Sequence, residues 1–378
     1  MMETMDLGER LRIARANANL TQEAVARELG VARTTLVAIE RGNRPVKNEE
    51  LLQFSRLYGI SAGRLTSPDT VHVDLSAKFR RREDRPNSAS SDTGVALLNS
   101  LVVGAVELEK VVGAKLKTDY PPALRISASV YLQQAEDAAV ALRHRLGVGL
   151  GRVNDLLSAF ELELGIRVFF RPLKDSNISG MYAFDHSVGA CILVNSNHPR
   201  HRRLQTLSHE AGHFLTDRSF ADILDDEPIP LSLEERFARR FGPAFLMPAP
   251  SLRARFSELI SGGGAPDVRT LVLLAHQFDV STEAMCRRLE NLGLLADGMW
   301  QSLKDRGFNR DIELQVIGDP EPEIRPPLVS PRLAYLAARA LHAGLLSSGQ
   351  LCEMLHVDRL DLHDAVTPFS DQSVPIND

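Results

Sequence analysis

The sequence predicts an α+β chain that is mostly α-helical, and three observations support this prediction. Five short helical patterns fill residues 7–65, with glycine at the turns. Three strand-like apolar runs, at residues 166–170, 179–184 and 189–195, precede a helical pattern over residues 201–216, which is typical of a small sheet combined with a helix. Helical spacing then dominates residues 266–294 and 332–366. We therefore expect an all-helical N-terminal domain, an α+β core with a small sheet and a helical C-terminal module.

These patterns divide the chain into four segments. The predicted boundaries are 1–68 for a helix-turn-helix domain, 69–148 for a linker strand and helices, 149–295 for the α+β core, and 296–378 for the C-terminal module. With 378 residues, the chain is long enough for two or three domains with cores of their own.

Composition limits the class of protein. A net charge of −5 argues against a general nucleic-acid coat, although one domain can still carry a basic face. The 3 cysteines form no Cys-x-x-Cys pair, which indicates neither a disulfide framework nor a cysteine zinc site. No signal peptide and no apolar run of about 18 residues is found, so we expect a cytoplasmic protein with no membrane partner.

The N-terminal quarter contains two helices around a tight turn. Thr21 is a good N-cap, Gly30 ends the helix that follows it, and a second helix over residues 32–40 stops at Gly42. A helix, a short glycine turn and a second helix form the helix-turn-helix arrangement. The same pattern also suits a helical module that serves only dimerisation or protein contact.

This segment resembles the Cro/phage-repressor (XRE) helix-turn-helix family. The matching residues are Thr21-Gln22, Ala26, Gly30-Val31, Leu36, Ile39-Glu40-Arg41-Gly42, Pro45, Leu51-Leu52 and Leu57. The resemblance implies a homodimer on a two-fold double-stranded DNA operator. It implies that base edges in the major groove are contacted by Arg33, Thr34 and Thr35. Phosphates would be held by Gln22, Arg41, Asn43 and Arg44.

The segment that follows carries weaker signals. Residues 71–75 alternate like a short strand, and the basic run at 78–82 suits either phosphate contacts or a solvated strand edge. Residues 95–113 and 126–145 have helical spacing without an identifiable chemistry.

The most informative motif is His-Glu-x-x-His at residues 209–213. Residues four apart share a helix face, so His209 and His213 can point two imidazoles at one ion. Glu210 lies beside that ion, where it could take a proton from an activated water. Zinc needs a further protein ligand, and the next predicted helix carries Glu234 and Glu235. A chance motif on a surface helix is the alternative.

Here the chain resembles the ImmA/IrrE family of metallopeptidases across residues 150–250. The matching residues are Val194-Asn195, Thr206-Leu207-Ser208-His209-Glu210-Ala211-Gly212-His213, Glu235-Arg236-Phe237-Ala238, Phe241 and Leu246-Met247-Pro248. The resemblance implies a zincin-like peptidase core with zinc on His209, His213 and Glu235. Manganese or iron can occupy such sites.

The chain departs from this family pattern at two places on the third motif. Arg239 replaces the usual asparagine, and Gly242-Pro243 replaces Ala-Ala, so we expect Pro243 to break or kink the helix.

The expected chemistry is peptide hydrolysis with Glu210 as the general base. Either Tyr182 or His186, on the preceding predicted hairpin, is a candidate to stabilise the oxyanion, and Tyr182 suits packing equally well. His198 and His201 are expected to be loop and helix-start residues rather than ligands.

The sequence therefore predicts a DNA-binding transcriptional regulator with a zinc-dependent endopeptidase domain. Its substrate would be a repressor, a toxin, another regulatory protein or the chain itself. Two alternatives remain: a one-component transcription factor whose peptidase-like domain senses a metal or ligand without turnover, and an antitoxin-like partner of a toxin. Enzyme and sensor both need the metal, so the sequence does not separate them. A linker at 319–323 and a small helical lid or dimer element at 347–366 complete the chain.

Overall fold

A computed structural model describes most of the chain. The described residues are 7–18, 20–58, 62–66, 75, 79, 89–216, 218, 221–225, 232–260, 266–318 and 325–369. Apart from Leu75 and Phe79, the predicted strand at 71–75 and the basic run at 78–82 lie outside the described residues, as do the predicted linker at 319–323 and residues 370–378.

The helices and strands follow one another along the chain. The elements are α1 (Leu7–Asn17), α2 (Gln22–Glu28), α3 (Arg33–Glu40), α4 (Asn48–Tyr58), α5 (Ala62–Thr66), α6 (Ala89–Val112), α7 (Tyr131–Arg145), α8 (Leu156–Ser158) with a π-helical continuation (Ala159–Leu164), β1 (Arg167–Arg171), β2 (Ile178–Asp185), β3 (Gly189–Asn195), α9 (Arg200–Thr216), β4 (Asp222–Asp225), α10 (Leu233–Leu246), α11 (Ala249–Ile260), α12 (Val268–Phe278), α13 (Thr282–Asn291), α14 (Met299–Asp305), α15 (Arg310–Ile317), α16 (Pro331–His342), α17 (Ser348–Leu355), α18 (Arg359–Val366) and a 3₁₀ turn (Thr367–Phe369). This mostly helical content with one small sheet confirms the predicted fold class.

Contacts group the chain into two compact units. Unit 1 comprises residues 1–116, 183–191 and 328–378, and unit 2 comprises residues 117–182 and 192–327. The predicted segment 69–148 is therefore divided, because α6 belongs to unit 1 and α7 to unit 2. The four predicted domain boundaries remain predictions.

The N-terminal part of unit 1 consists of the five predicted helices. Leu11, Val25, Leu36, Ile39 and Phe54 form its core, each at most 1% exposed. Leu36 and Ile39 are three residues apart on α3 and share one of its faces, and the other short helices likewise turn apolar residues inward.

The turns of this domain have the expected local causes. Thr21 Oγ1 accepts a hydrogen bond from the Ala24 amide at 3.1 Å and caps α2. Gly30 and Gly42 have φ of 66° and 71°, a left-handed conformation that favours glycine, which explains why α2 and α3 end there.

The rest of unit 1 is built around α6. This helix packs on α16 and α17, and α18 packs on both of those helices. The approach is close because Gly104 faces the Met354 carbonyl oxygen, where a β-carbon would not fit. The guanidinium of Arg332 donates to Glu109 Oε1 at 2.8 Å and to the Ala114 carbonyl at 2.8 Å. The helices α16 and α17 of the predicted C-terminal module thus pack on α6, whereas its first two helices, α14 and α15, belong to unit 2.

The sheet has the strand order β1-β3-β2-β4. All residues of β1 and β3 are buried, so the apolar runs that predicted them are continuous rather than strictly alternating. The short strand β4, which the sequence did not predict, pairs antiparallel with β2 and places Gly180 opposite Leu224.

Two helical features of unit 2 differ from expectation. The predicted helix before Gly165 is mostly π-helical, which the apolar spacing did not predict. The expected break at Pro243 is wrong, because α10 continues to Leu246. Pro243 has no amide hydrogen, so the Arg239 carbonyl loses its helical hydrogen bond. This loss falls in the last turn of α10, which ends at Leu246. The buried residues Phe241 and Phe245, both 0% exposed, pack this last turn into the core.

Every helix among the described residues is too short or too polar to span a lipid bilayer.

Candidate metal centre

Helices α9 and α10 approach each other closely because glycine lies at their contact. A β-carbon on Gly212 would lie 2.8 Å from Ala238 Cα, closer than any side chain tolerates. Gly242 on α10 likewise faces the backbone of α9, 3.4 Å from the His209 amide nitrogen. The main chains therefore set the distance between the two helices, and the sequence places the motif histidines on one and Glu235 on the other.

His209, His213 and Glu235 converge on one point. The Nε2 atoms of the two histidines are 3.1 Å apart. Glu235 Oε2 lies 3.2 Å from His213 Nε2 and 3.4 Å from His209 Nε2. Among the described residues, these three are the group of histidine, cysteine and acidic side chains that could hold a metal ion.

The spacing of these atoms fits zinc. Ligand atoms at about 2.0–2.1 Å from a tetrahedral zinc are roughly 3.3 Å apart. The three observed separations of 3.1, 3.2 and 3.4 Å are close to that value. Two imidazoles and a carboxylate on three corners leave one position for water or substrate, which is the donor set of a catalytic rather than a structural site.

Glu235 is fixed at the first turn of α10. Ser232 Oγ accepts from the Glu235 amide at 3.1 Å and caps the helix. Arg239 Nε, one turn on, donates to Glu235 Oε1 at 2.6 Å, which leaves Oε2 directed at the histidines. Burial alone raises the pKa of Glu235, but hydrogen bonds from His209, His213 and Arg239 outweigh it, so this pKa lies far below its usual range. Glu235 is therefore anionic, which suits a candidate metal ligand.

Glu210 lies inside the protein between α9 and β2. Its side chain is fully buried, and Glu210 Oε1 lies 3.5 Å from where a β-carbon on Gly180 would be. A larger residue at 180 would also meet the Thr206 methyl group at 2.5 Å. Because the closest clash would be with Thr206, the absence of a side chain at Gly180 allows β2 and α9 to pack closely beside Glu210.

The other predicted site residues lie apart from the ligand cluster. Tyr182 is fully buried on β2, which favours the packing interpretation. Burial lowers the pKa of Arg218, and the nearby Tyr182 partly offsets that lowering. His186 is exposed at the hairpin turn with its ring 5.3 Å from that of Phe184. His198 lies in a loop, where its Nε2 is 2.9 Å from the Ser176 carbonyl oxygen, and His201 lies in the first turn of α9.

A cavity of about 740 Å³ opens beside His209. Its lining comes from β2, α9, β4, α10 and α13 and from the loop before α13. The charged side chains of this lining are all arginines, namely Arg202, Arg239, Arg287 and Arg288. We call this cavity the basic cleft.

The predicted DNA-contacting residues lie on or around α3. Arg33, Thr34, Arg41 and Asn43 are exposed, and Thr35 is half-buried. The two remaining predicted residues, Gln22 and Arg44, have partners within the domain. Gln22 Nε2 donates to Glu40 Oε2 at 2.8 Å, and Arg44 pairs with Glu50 at 2.8 Å.

Comparison with known proteins identifies both domains. Residues 6–66 match the helix-turn-helix domain family, and residues 162–290 match the IrrE N-terminal-like domain family, Peptidase M78. The cryptic phage CTXphi transcriptional repressor RstR of Vibrio cholerae is 32% identical over 85 residues, which is 21% of this chain and 77% of that protein. The chain belongs to the XRE-like helix-turn-helix repressor family and carries an IrrE N-terminal-like domain.

A second relative extends this similarity. The HTH-type transcriptional regulator ImmR of Bacillus subtilis (strain 168) is 37% identical over 67 residues, or 18% of this chain. The match spans about half, 53%, of the length of ImmR. Both relatives match a small part of this XRE-like regulator.

Several residues near the metal centre of this XRE-like regulator were not predicted from sequence. Arg239 follows Glu235 by four residues, a spacing that allows a helical ion pair, so this contact was detectable. The other arginines of the basic cleft come from α9 and α13, and no sequence spacing relates them to the motif. The close packing at Gly180 was not predictable either, because the sequence indicates only that this glycine lies in a strand.

Proposed function

We propose that this chain is a DNA-binding transcriptional regulator whose peptidase domain is a zinc-dependent endopeptidase that cleaves a repressor or another regulatory protein. One observation carries the proposal. The ligand atoms of His209, His213 and Glu235 lie 3.1–3.4 Å apart beside the buried carboxylate of Glu210. The same chain carries a helix-turn-helix domain that is similar to those of repressors.

The catalytic roles follow from the positions of the side chains. Bound zinc would supply a Lewis acid that activates water at neutral pH. His209, His213 and Glu235 would hold the ion, and Arg239 holds Glu235 in the orientation that binding would require. Glu210 accepts the proton of the attacking water and returns it to the leaving amide nitrogen, as a general base and then a general acid. Manganese or iron are the other ions that this donor set accepts.

The proposed DNA interface is the exposed side of α3. Arg33 and Thr34 begin this helix and are exposed, so both are available to base edges in a major groove. Arg41 and Asn43 follow the end of the helix and are available to phosphates. Gln22 and Arg44 are bonded to Glu40 and Glu50, which suits a role in holding this surface in shape. The relatives are named as a transcriptional repressor and a transcriptional regulator, which supports an operator as the ligand. A homodimer is proposed as the binding form because one such module reads few bases.

The substrate is proposed to be a protein of the same regulatory circuit. A repressor, a toxin or another copy of this chain would each connect proteolysis to gene control. The presence of a DNA-binding domain on the same chain supports a regulatory role rather than digestion.

A second candidate is a sensor without turnover. Two observations favour it. Glu210 is 0% exposed, and β4 already occupies the edge of β2 that an extended substrate would pair with. In that case the metal would regulate operator binding.

One comparison separates the two candidates. Zinc-loaded wild-type protein and Glu210→Gln are each incubated with repressors encoded nearby and with a tagged copy of the chain, and the products are read by mass spectrometry. We expect cleavage by the wild type, none by Glu210→Gln, and equal zinc in both by elemental analysis. Glu234→Gln, the same change on a half-buried neighbour of Glu235, is the matched control and should cleave normally.

The opposite result is equally specific. If neither protein cuts any substrate, yet zinc changes the operator affinity of both to the same extent, the endopeptidase proposal is wrong and the sensor is favoured.

A further inference from the structure

The basic cleft has a one-sided charge. Four arginines line it, and no carboxylate from the described part of the chain does. His209 also lines the cleft, so a ligand in this cavity lies next to the metal centre. The cleft is therefore an anion-attracting surface at the place where a peptide would be cut.

Two of these arginines are held rigidly. Arg288 is 1% exposed, and its guanidinium donates to both oxygens of Glu136 at 2.6 and 2.7 Å and to the Met247 carbonyl at 3.1 Å. Arg239 is held by Glu235 at 2.6 Å. Neither Glu136 nor Glu235 lines the cleft, so the lining contains these arginines without their carboxylate partners.

Arg287 can exchange its partner. Its side chain is 60% exposed and pairs at 2.8 Å with Glu283, which is 44% exposed and one turn earlier on α13. Such exposed helical pairs contribute little to stability, so a carboxylate from another molecule can replace Glu283 at small cost.

The chain itself places an extended segment at this edge. Strand β4 lies antiparallel on β2, and Leu224 from β4 lines the cleft. An extended backbone segment therefore already lies along the edge of the cleft, which supports an extended peptide as the ligand.

We propose that the basic cleft is a specificity subsite for acidic side chains of an extended peptide. This inference rests on the proposed function, since it names the substrate class of the same site. Arg287 binds the substrate carboxylate, and Arg239 and Arg288 supply the fixed positive field. The preferred substrates are therefore regulatory proteins with aspartate or glutamate close to the scissile bond.

Binding without turnover tests the subsite. Full-length, zinc-loaded Glu210→Gln is titrated against two fluorescent decapeptides on one Ala/Thr background, the first with three glutamates and the second with three glutamines. We expect the glutamate peptide to bind about 10-fold more tightly at low salt, and the difference to shrink at high salt because ions screen exposed charges. Equal affinities, or no measurable binding of the glutamate peptide, would overturn the inference.

A matched pair of variants locates the effect. Arg287→Gln in the same background should reduce the preference by about 5-fold, because it removes the exchangeable cation. Arg255→Gln changes an arginine that also forms an exposed helical pair, with Glu258 at 2.8 Å, but does not line the cleft. An equal loss in both variants would show that general charge, and not the cleft, is responsible.

The outcomes for the two proposals are separate. Acidic preference in a protein whose wild type cleaves nothing contradicts the endopeptidase alone. Cleavage by the wild type without acidic preference contradicts the subsite alone.

Discussion

The helix-turn-helix domain and the metal centre expose their working side chains to different extents. In the first, Arg33, Thr34, Arg41 and Asn43 are exposed on the surface. In the second, the side chains are inside the protein: Glu210 is 0%, His213 2%, His209 5% and Glu235 9% exposed. Recognition of a long polymer needs an accessible face, whereas acid–base and metal chemistry gain strength where water is excluded.

This difference sets what mutations do. An exposed contact can be removed without disturbing packing, so DNA affinity and stability should change independently. A buried ligand is also part of the core, so metal affinity and stability should change together. Four predictions test this contrast, from the largest expected effect to the smallest.

The strongest test of the buried site is Glu235→Ala. It removes an anionic ligand and leaves Arg239 without its partner at 2.6 Å. Removing a residue that only hydrogen-bonds a metal ligand reduces metal affinity by about 10–100-fold. Removing the ligand itself should therefore reduce zinc affinity by about 1,000-fold, or about 4 kcal/mol. Competition with a chromogenic chelator measures the affinity. Glu234→Ala is the control, and undiminished zinc in Glu235→Ala would shift the ligand assignment to Glu234.

Glu136→Gln tests the buried charges behind the basic cleft. The change leaves Arg288 buried without its carboxylate partner, and the free energy of unfolding at pH 7 should fall by about 3 kcal/mol. Denaturant titrations followed by circular dichroism measure it. Glu283→Gln, in an exposed pair, should change the same quantity by less than about 0.5 kcal/mol.

The Glu136 effect should depend on pH in one direction. Burial raises the pKa of Glu136, but hydrogen bonds and charges from Arg288 and Arg240 outweigh it, so its pKa in the folded state lies below 4.5. The stabilisation that Glu136 contributes is complete above pH 4.5, the pKa of this group in the unfolded chain. It is lost as the pH falls through the lower pKa of the folded state. Wild type and Glu136→Gln should therefore converge in stability in acid; a constant gap down to low pH would contradict this assignment.

Gly212→Ala tests the close approach of α9 and α10. Alanine normally stabilises a helix relative to glycine by up to about 1 kcal/mol, but here its β-carbon would lie 2.8 Å from Ala238 Cα. We expect a net loss of about 2 kcal/mol and weaker zinc binding. Gly349→Ala, also in a helix but with its nearest atom at 3.9 Å, should be neutral or stabilising. Thermal unfolding with and without zinc measures both, and an unchanged melting temperature in Gly212→Ala would show that the helices can separate at no cost.

The smallest effect is expected at the exposed surface. Arg33→Ala should weaken binding to the operator by about 10-fold, or about 1.4 kcal/mol, with a melting temperature equal to that of the wild type. Gel-shift titration and calorimetry measure the two quantities. Arg12→Ala, which removes an exposed pair with Glu9 at 2.6 Å on α1, should leave DNA affinity unchanged. A loss of stability in Arg33→Ala would remove the contrast between the two regions.

Local signals in the sequence were sufficient for most helices. Thr21, Gly30 and Gly42 cap or end helices by chemistry that acts within a few residues. The spacing of His209 and His213 predicted their common helix face for the same reason. The ligand role of Glu235 needed a resemblance to a family, because Glu234 is equally acidic and one residue away.

Features that depend on distant contacts were not predicted. The four residues of β4 form a strand because they pair with the edge of β2, and their own sequence does not specify a strand. The helix continues past Pro243 because Phe241 and Phe245 are buried, a tertiary effect that overrides the local preference. The basic cleft likewise joins arginines that are far apart in sequence.

The packing of α6 has a consequence for how the chain folds during synthesis. The apolar side of α6 includes the buried residues Val95, Leu98 and Leu101. Its partners α16 and α17 come more than 200 residues later in the chain. The contact between Glu109 and Arg332, for example, joins residues 223 positions apart. At about 5–20 residues per second, a ribosome makes α16 at least ten seconds after α6. The helix-turn-helix domain has its own core and can fold at once. Nascent chains therefore carry a finished DNA-binding domain next to an apolar helix that still lacks its partners, and this helix is where a chaperone would bind.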